Sequence, residues 1–238
     1  AEVFLPLRDR LRTLLEEIAS SPTKPSGQLD AIDLPETEQM GFCRDIAKAI
    51  GFDFNRGRLD TSTHPFCGGS HCDDVRLTTR FHPAMVTDAI SSTMHEAGHG
   101  MYEQGLLYEH VGTPCGESVS LGIHESQSRL WENQVGRSEA FWRWAAPRLA
   151  AHFGTAVEGI DARAAYESAN RVAPGLIRVE ADEATYNMHV MIRFELERAL
   201  LTGDLPVADL PAAWNATSRE YLGVEVPDDR RGCLQDIH

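Results

Sequence analysis

Two histidines four residues apart, with a glutamate directly after the first, form the strongest chemical pattern in the chain. Residues 95–99 read HEAGH, which matches the HExxH pattern of zinc sites in which the glutamate is a general base. Side chains four apart on a helix lie about 5–6 Å apart at Cβ, so the imidazoles of His95 and His99 can converge on one ion. Glu96 is rotated by about 100° from His95 and can act on a metal-bound water. The alternative is a chance match on a surface helix.

A third protein ligand has to come from another part of the chain. A histidine six residues after the second one marks a large class of HExxH enzymes, but that position holds Gly105, so this class is excluded. A downstream carboxylate is the other common solution. The candidates on a predicted helix over 117–136 are Glu117, Glu125 and Glu132, with His124 as a nitrogen alternative.

Spacing does not choose among these four, but their surroundings differ. Glu117 would lie in the first helical turn, where free amide groups stabilise an acid. Glu132 follows Trp131 and is compatible with a solvated face. Glu125 lies mid-helix between small or polar neighbours, and Gly122 one turn earlier would allow another backbone or an ion to approach closely. A buried ligand face has this composition.

The elements that must position these residues are mostly helical. An apolar stripe with steps of three and four predicts that the HEAGH segment lies on an amphipathic helix over 83–105; its members are Val86, Ile90, Met94, Ala97 and Met101. Further helices are predicted near the N terminus, between Pro35 and Gly51, and over 117–136, 138–152, 161–172, 183–201 and 208–222. A small β-ribbon is expected within 52–82, with its best strand at 75–81. We therefore expect a mainly α fold with this ribbon beside a substrate groove.

Composition restricts the class of protein further. The chain has 238 residues, 42% hydrophobic content and a net charge of -14, which favours one domain over 1–238 and excludes nucleic acid and anionic membranes as partners. Its five cysteines are scattered without CxxC pairs, which argues against a disulfide framework or thiolate zinc site. No apolar stretch approaches the roughly 20 residues of a membrane span. We expect a cytoplasmic protein.

Six short motifs occur in one order along the chain. They are His64-Pro65-Phe66, the segment DVRLTT at 74–79, HEAGH at 95–99, HESQ at 124–127, IRVEAD at 177–182, and GCLQDIH at 232–238. In these motifs the chain resembles the carboxypeptidase Taq family of metallocarboxypeptidases, in which a Trp normally follows the last one. Each motif is weak alone, whereas six in the family's order within one chain form a specific signal.

The resemblance implies roles for individual residues. It makes Glu125 the third zinc ligand beside His95 and His99, with Glu96 as the catalytic base, and it gives Arg178 the grip on the substrate's terminal carboxylate. His64 and His238 are then expected to contact substrate. Asp182 is expected either to cap the helix that follows it or to hydrogen-bond a zinc-bound imidazole.

The family also implies an activity and an assembly. Its members remove single residues from the free C-terminus of peptides with broad side-chain tolerance, use zinc or cobalt, have a mostly helical fold with a deep groove, and form homodimers. They are about twice as long as this chain, which starts at Ala1, so we expect a short or truncated member. The alternatives are an endopeptidase with the same metal site and a metal-binding but inactive fragment.

Overall fold

The chain divides into two compact units, and the computed structural model describes residues 3–235. One unit is Pro25–Ala169, and the other combines Ala1–Lys24 with Asn170–His238. A single catalytic domain over 1–238 stays a prediction. Within residues 3–235, no helix has both the length and the apolar content needed to cross a membrane.

Helices account for most of the regular structure in residues 3–235, and three short strands make up the rest. The α-helices are α1 (Phe4–Ser20), α2 (Glu36–Ile50), α3 (Val86–Gln104), α4 (Leu121–Arg129), α5 (Glu139–Phe153), α6 (Ala162–Ala169), α7 (Glu183–Thr202) and α8 (Leu210–Leu222). The strands are β1 (Gly57–Thr61), β2 (Phe66–His71) and β3 (Asp74–Thr79). The predicted mainly α class is confirmed.

The strands form one mixed sheet in the order β1-β3-β2. Strand β3 pairs in parallel with β1, Leu59 opposite Leu77, and antiparallel with β2, Cys67 opposite the same Leu77. The predicted ribbon therefore exists, but a third strand widens it into a sheet. Leu77 and Val75 of β3 are fully or almost fully buried, so the central strand anchors the sheet in the core of the larger unit.

The buried face of α3 lies in the same core as the sheet. Val86, Ile90, Met94 and Ala97 of the predicted stripe are each at most 2% exposed. Burying a large aliphatic or Met side chain contributes about 1.5–3 kcal/mol, so this stripe holds the helix firmly. The rotation of α3 about its axis, and hence the direction of His95 and His99, follows from that burial.

The N terminus of α3 is capped by a residue from far away in sequence. Met85 precedes the helix with a left-handed backbone (φ 70°) and makes no side-chain cap. The Asp30 carboxylate instead accepts hydrogen bonds from the Thr87 amide at 3.0 Å and from the Thr87 hydroxyl at 2.6 Å. This carboxylate satisfies an amide that the helix leaves free, and it fixes the start of the helix that carries the two histidines.

Helix α4 starts later and ends differently from the prediction over 117–136. Its N-cap is Ser120, whose hydroxyl accepts from the Ile123 amide at 3.1 Å. Glu117 precedes the helix, so the expectation that it lies in a first helical turn was wrong. After Arg129 the chain continues as a π-helical segment over Leu130–Val135. Such segments shift the side chains that follow them around the helix axis.

The smaller unit packs α1 against α7 and α8 around its own apolar cluster. Met188, Met191 and Ile192 of α7 are almost fully buried there, together with Trp214 of α8. The α7 helix is capped by Asp182, whose Oδ1 accepts from the Ala184 and Thr185 amides at 2.9 and 3.0 Å. This arrangement is the capping role predicted for Asp182.

Candidate metal centre

Three side chains from two helices converge in the larger unit. His95 and His99 of α3 and Glu125 of α4 each place one possible ligand atom so that all three atoms lie within 4.8 Å of one another. Oε2 of Glu125 is 3.3 Å from Nε2 of His99 and 3.8 Å from Nε2 of His95. The structure thus brings together the three residues that the resemblance to the family singled out.

The convergence depends on a close approach of the two helices at Gly98. A Cβ atom there would lie 2.6 Å from the Gln127 carbonyl oxygen and 2.7 Å from Cα of Ser128, so only glycine leaves room for the α4 backbone. At Gly122 a Cβ would meet nothing nearer than 4.0 Å. The expectation that Gly122 permits a close approach was therefore wrong, and the glycine that does so lies inside HEAGH.

Nδ1 of each imidazole contacts a side chain that the sequence indicated only as a possible third ligand. Nδ1 of His95 lies 2.8 Å from Oε2 of Glu132, and Nδ1 of His99 lies 2.6 Å from Nδ1 of His124. Nε2 of His124 in turn lies 2.6 Å from Oε1 of Glu103. Glu132 had been interpreted as compatible with a solvated face, yet its side chain is only 15% exposed. The signal that could have found Glu103 is its spacing, four residues after His99.

Arg129 bridges two carboxylates, that of Glu125 on α4 and that of Glu132 in the π-helical segment. Its Nε lies 3.3 Å from Oε1 of Glu125, and its Nη1 donates to Oε2 of Glu132 at 2.9 Å. Burial acts to raise the pKa of Glu132, but the hydrogen bond with His95 and the charges of His95, Arg129 and Arg137 outweigh it and lower that pKa. The carboxylate behind His95 is therefore ionised.

The two glutamates nearest the imidazoles titrate in opposite directions. Burial raises the pKa of Glu96, which is 6% exposed, to about 7, although His95 and His99 act in the opposite sense. Burial also acts to raise the pKa of Glu125, but the hydrogen bond with His99 and the charges of His95 and Arg129 prevail and lower it to about 2. At neutral pH Glu125 is thus ionised, whereas Glu96 can exchange a proton.

The donor set of the three converging residues fits a divalent ion such as zinc. Donor atoms about 2.0–2.2 Å from a tetrahedral ion lie roughly 3.3–3.5 Å from one another, close to the distances from Glu125 to the two imidazoles. Two imidazole nitrogens and one carboxylate oxygen are also a ligand set of catalytic zinc sites, which keep a fourth position open. Small shifts of the side chains would complete the coordination.

A second group of donor atoms at the turn between β2 and β3 is less suited to an ion. His71, Cys72 and Asp73 place their possible ligand atoms within 4.8 Å of one another. However, Nδ1 of His71 already accepts the Asp73 amide at 3.0 Å, and the Asp73 carboxylate pairs with Arg56 at 2.5 Å. These atoms serve to hold the turn.

The remaining residues with an expected substrate role lie elsewhere. His64 lies in the loop between β1 and β2 of the larger unit, where its carbonyl accepts the Ser62 hydroxyl at 2.5 Å. Arg178 belongs to the smaller unit; its amide donates to Oε1 of Gln235 at 3.1 Å, and its Nη1 lies 3.3 Å from the Tyr186 hydroxyl. His238 lies outside the described residues. The substrate roles of these three residues stay predictions.

Comparison with known proteins places this arrangement in a family. The model of the carboxypeptidase Taq (M32) metallopeptidases matches residues 1–238. Thermostable carboxypeptidase 1 of Thermus thermophilus is 44% identical over 99% of this chain and 46% of its own length, and carboxypeptidase 1 of Bacillus subtilis is 35% identical over 100% and 47%. The crystal structure of an M32 carboxypeptidase from Deinococcus radiodurans superposes with a TM-score of 0.94 at 43% identity, covering 100% of this chain and 48% of that one.

The matches cover nearly all of this chain but only part of each relative. The chain spans about half the length of the curated relatives that it matches, while the family model and the similar structure cover it completely. The sequence identity and the covered share of this chain are both high enough to show family membership. The chain belongs to the carboxypeptidase Taq (M32) family of metallopeptidases.

Proposed function

We propose that this chain is the metal-bearing part of a zinc-dependent carboxypeptidase, which removes single residues from the free C-terminus of peptides with broad side-chain tolerance. The observation that carries the proposal is the convergence of His95, His99 and Glu125 on one point between α3 and α4. Membership of the metallopeptidase family supports the same reaction class.

Zinc is the proposed ion because the donors are two imidazoles and one carboxylate, and cobalt is the expected substitute. When bound, such an ion polarises a carbonyl oxygen and lowers the pKa of a coordinated water to about 7. The three proposed ligands contribute one negative charge in total. A divalent ion therefore keeps a net positive charge in the site, as polarisation of a substrate carbonyl requires.

Glu96 is the proposed catalytic base. It follows His95 on α3 and is almost completely buried, and its pKa of about 7 matches a group that both accepts and releases protons at neutral pH. In the proposed reaction Glu96 takes a proton from the attacking water and returns a proton to the amine of the leaving residue. Its orientation is fixed because the apolar stripe of α3 is buried in the core.

Recognition of the terminal carboxylate is assigned to Arg178 on the family motif alone. A guanidinium offers paired donors to a planar carboxylate and keeps its charge at any working pH. Such a contact would present the last peptide bond for hydrolysis, which is the feature that distinguishes a carboxypeptidase from an endopeptidase.

The test compares an N-blocked dipeptide with a free C-terminus against the same dipeptide as its C-terminal amide. We expect the zinc-loaded protein to hydrolyse the free acid and not the amide, as followed by release of the C-terminal residue. Equal cleavage of both compounds would assign the site to an endopeptidase. Stoichiometric zinc without cleavage of either would leave a metal-binding but inactive fragment.

Two variants separate the base from the ligands. Glu96→Gln should retain zinc at wild-type stoichiometry while turnover falls by about 10²–10⁴-fold, because the amide cannot take up a proton. His99→Ala should lose the zinc itself. Wild-type turnover by Glu96→Gln would remove this glutamate from the proposed mechanism.

A further inference from the structure

We propose that Glu132, and His124 together with Glu103, are positioning residues that set the tautomers and ring orientations of His95 and His99, so that Nε2 of both rings points at the metal. The proposal rests on the proposed metal centre and concerns three residues that neither the HExxH pattern nor the third ligand accounts for. The two imidazoles are supported differently, one by a carboxylate directly and the other through a second imidazole.

The support of His95 is an ionic hydrogen bond. Oε2 of Glu132 lies 2.8 Å from Nδ1 of His95, and the same carboxylate receives Nη1 of Arg129 at 2.9 Å and lies 3.9 Å from Nη2 of Arg137. A carboxylate between two guanidinium groups offers only acceptor oxygens. Nδ1 of His95 must therefore carry the proton, which leaves the lone pair of Nε2 directed towards Glu125.

His99 is supported through a relay that consists of His124 and Glu103. The hydrogen bond between these two residues determines which atom donates at each step of the relay. Oε1 of Glu103 accepts from Nε2 of His124 at 2.6 Å, so Nδ1 of a neutral His124 has no proton and acts as an acceptor. That nitrogen lies 2.6 Å from Nδ1 of His99, which must then donate. If Nδ1 of His99 accepted instead, the proton of its neutral ring would lie on Nε2. That nitrogen would then lack the lone pair that a metal needs.

The elements explain why these five side chains meet. Residues 95, 99 and 103 are four apart and share one face of α3, so Glu103 continues the row of ligand histidines. His124 of α4 contacts His99 and Glu103, whereas Glu132, which lies in the π-helical segment, contacts His95. Each ligand histidine thus has its own support.

The two supports also differ in their access to water. Glu132 is enclosed, with 15% of its side chain exposed, whereas Glu103 is 34% exposed. Glu103 and His124 line a cavity of about 410 Å³ bounded by β2. Because water in this cavity can replace a lost acceptor on the relay, loss of Glu132 should weaken metal binding more than loss of Glu103.

The tautomers can be read in the wild-type protein without any substitution. Long-range ¹H–¹⁵N NMR of the zinc-loaded protein, labelled at histidine, should show protons on Nδ1 of His95 and His99 and on Nε2 of His124. A proton on Nδ1 of His124, or on Nε2 of either ligand histidine, would overturn the proposal. This measurement does not depend on the folding of any variant.

Metal affinity gives the second test, measured by competition with a chelator at fixed pH. Glu132→Leu and His124→Phe should each weaken zinc binding about 10–100-fold and alter the visible spectrum of the cobalt form. Glu132→Gln and Glu103→Gln retain an acceptor oxygen and should lose less than Glu132→Leu and Glu103→Leu. Glu139→Gln is the matched control, since it removes the same charge from an exposed pair with Arg143 and should change nothing.

The outcomes separate this proposal from the proposed function. Folded Glu132→Leu and His124→Phe proteins with wild-type zinc affinity and cobalt spectra would overturn the positioning roles alone, provided that His99→Ala still abolishes binding. If wild-type protein and His99→Ala bind zinc equally weakly, the metal centre itself is wrong and the positioning roles fail with it.

Discussion

At the scale of single residues, two glutamates close to the same imidazoles are prepared for different tasks. Glu125 lies beside Arg129 and both histidines, so opposite charges outweigh its burial and keep it ionised. Glu96 is more deeply buried, and for this residue burial prevails. When different environments separate the pKa values of two carboxyl groups in this way, the difference helps to assign acid–base and ligand roles to them.

The pKa of Glu96 should be measurable in the metal-free protein. We expect its carboxyl to titrate near 7, because burial disfavours the ionised form, and we expect bound zinc to lower that pKa, because a nearby cation favours the ionised form. The measurement is ¹³C NMR of δ-labelled glutamate across pH 4–9, with and without zinc.

The signal is assigned by its absence from the spectrum of Glu96→Gln. A Glu96 that stays ionised down to pH 5 in the metal-free protein would contradict the expectation, as would a pKa that zinc leaves unchanged. The first result would mean that the charges of His95 and His99 outweigh the burial of the carboxyl, and the second that zinc does not bind close to Glu96.

At the scale of secondary-structure elements, the metal centre depends on how closely α3 and α4 approach. We predict that Gly98→Ala forces the helices apart, since the new Cβ would lie 2.6 Å from a backbone oxygen that cannot rotate away. Overpacking of this kind costs about 1–3 kcal/mol of stability. If about 1.4 kcal/mol of the strain is relieved by moving Glu125 from the histidines, zinc affinity falls about tenfold.

Gly122→Ala on α4 is the matched control. It makes the same change of residue type where the added Cβ would meet nothing nearer than the Ser120 hydroxyl at 4.0 Å, and helix propensity alone would make it slightly stabilising. Thermal unfolding measures the stability of both variants, and competition with a chelator measures their zinc affinity. Equal zinc affinity in Gly98→Ala and wild type would show that the close approach does not hold the ligands together.

The sequence predicted the elements whose signals are local. The stripe from Val86 to Met101 specified α3 and the shared face of its two histidines, because helical periodicity is contained in the residues themselves. The cap of α3 could not be predicted, since Asp30 lies 57 residues before the amide that it accepts from. The π-helical segment also leaves no simple pattern, and Glu132 was therefore misjudged as compatible with a solvated face.

The third ligand, like the cap of α3, could not be chosen from local sequence signals. Periodicity and spacing left Glu117, Glu125, Glu132 and His124 as candidates, because a ligand on another helix is selected by packing and not by its own neighbours. The resemblance to the family favoured Glu125, and the packing of α4 on α3 brings its carboxylate within 3.8 Å of both rings. The same packing brings Glu132 and His124 within hydrogen-bonding distance of the two imidazoles.

At the scale of the whole molecule, every residue proposed to hold or support the ion belongs to one compact unit. Both ligand histidines, Glu125 and the three positioning residues fall within Pro25–Ala169, whereas Arg178 and Asp182 belong to the other unit. All the proposed metal contacts are therefore made within the larger unit. Arg178, which is proposed to recognise the terminal carboxylate, is a residue of the smaller unit.

Because the proposed ion would link two helices of the larger unit, zinc should stabilise the folded state of that unit. A ligand that binds only the folded protein adds about 2.7 kcal/mol at a free concentration one hundred times its Kd, which for a chain of this length raises Tm by roughly 5–10 °C. Differential scanning calorimetry at fixed pH, with zinc buffered by a chelator, measures the shift. Glu96→Gln should show the full increase, since it keeps all three ligands, whereas His99→Ala should show none. An equal increase in His99→Ala would mean that zinc stabilises the protein from some place other than the space between α3 and α4.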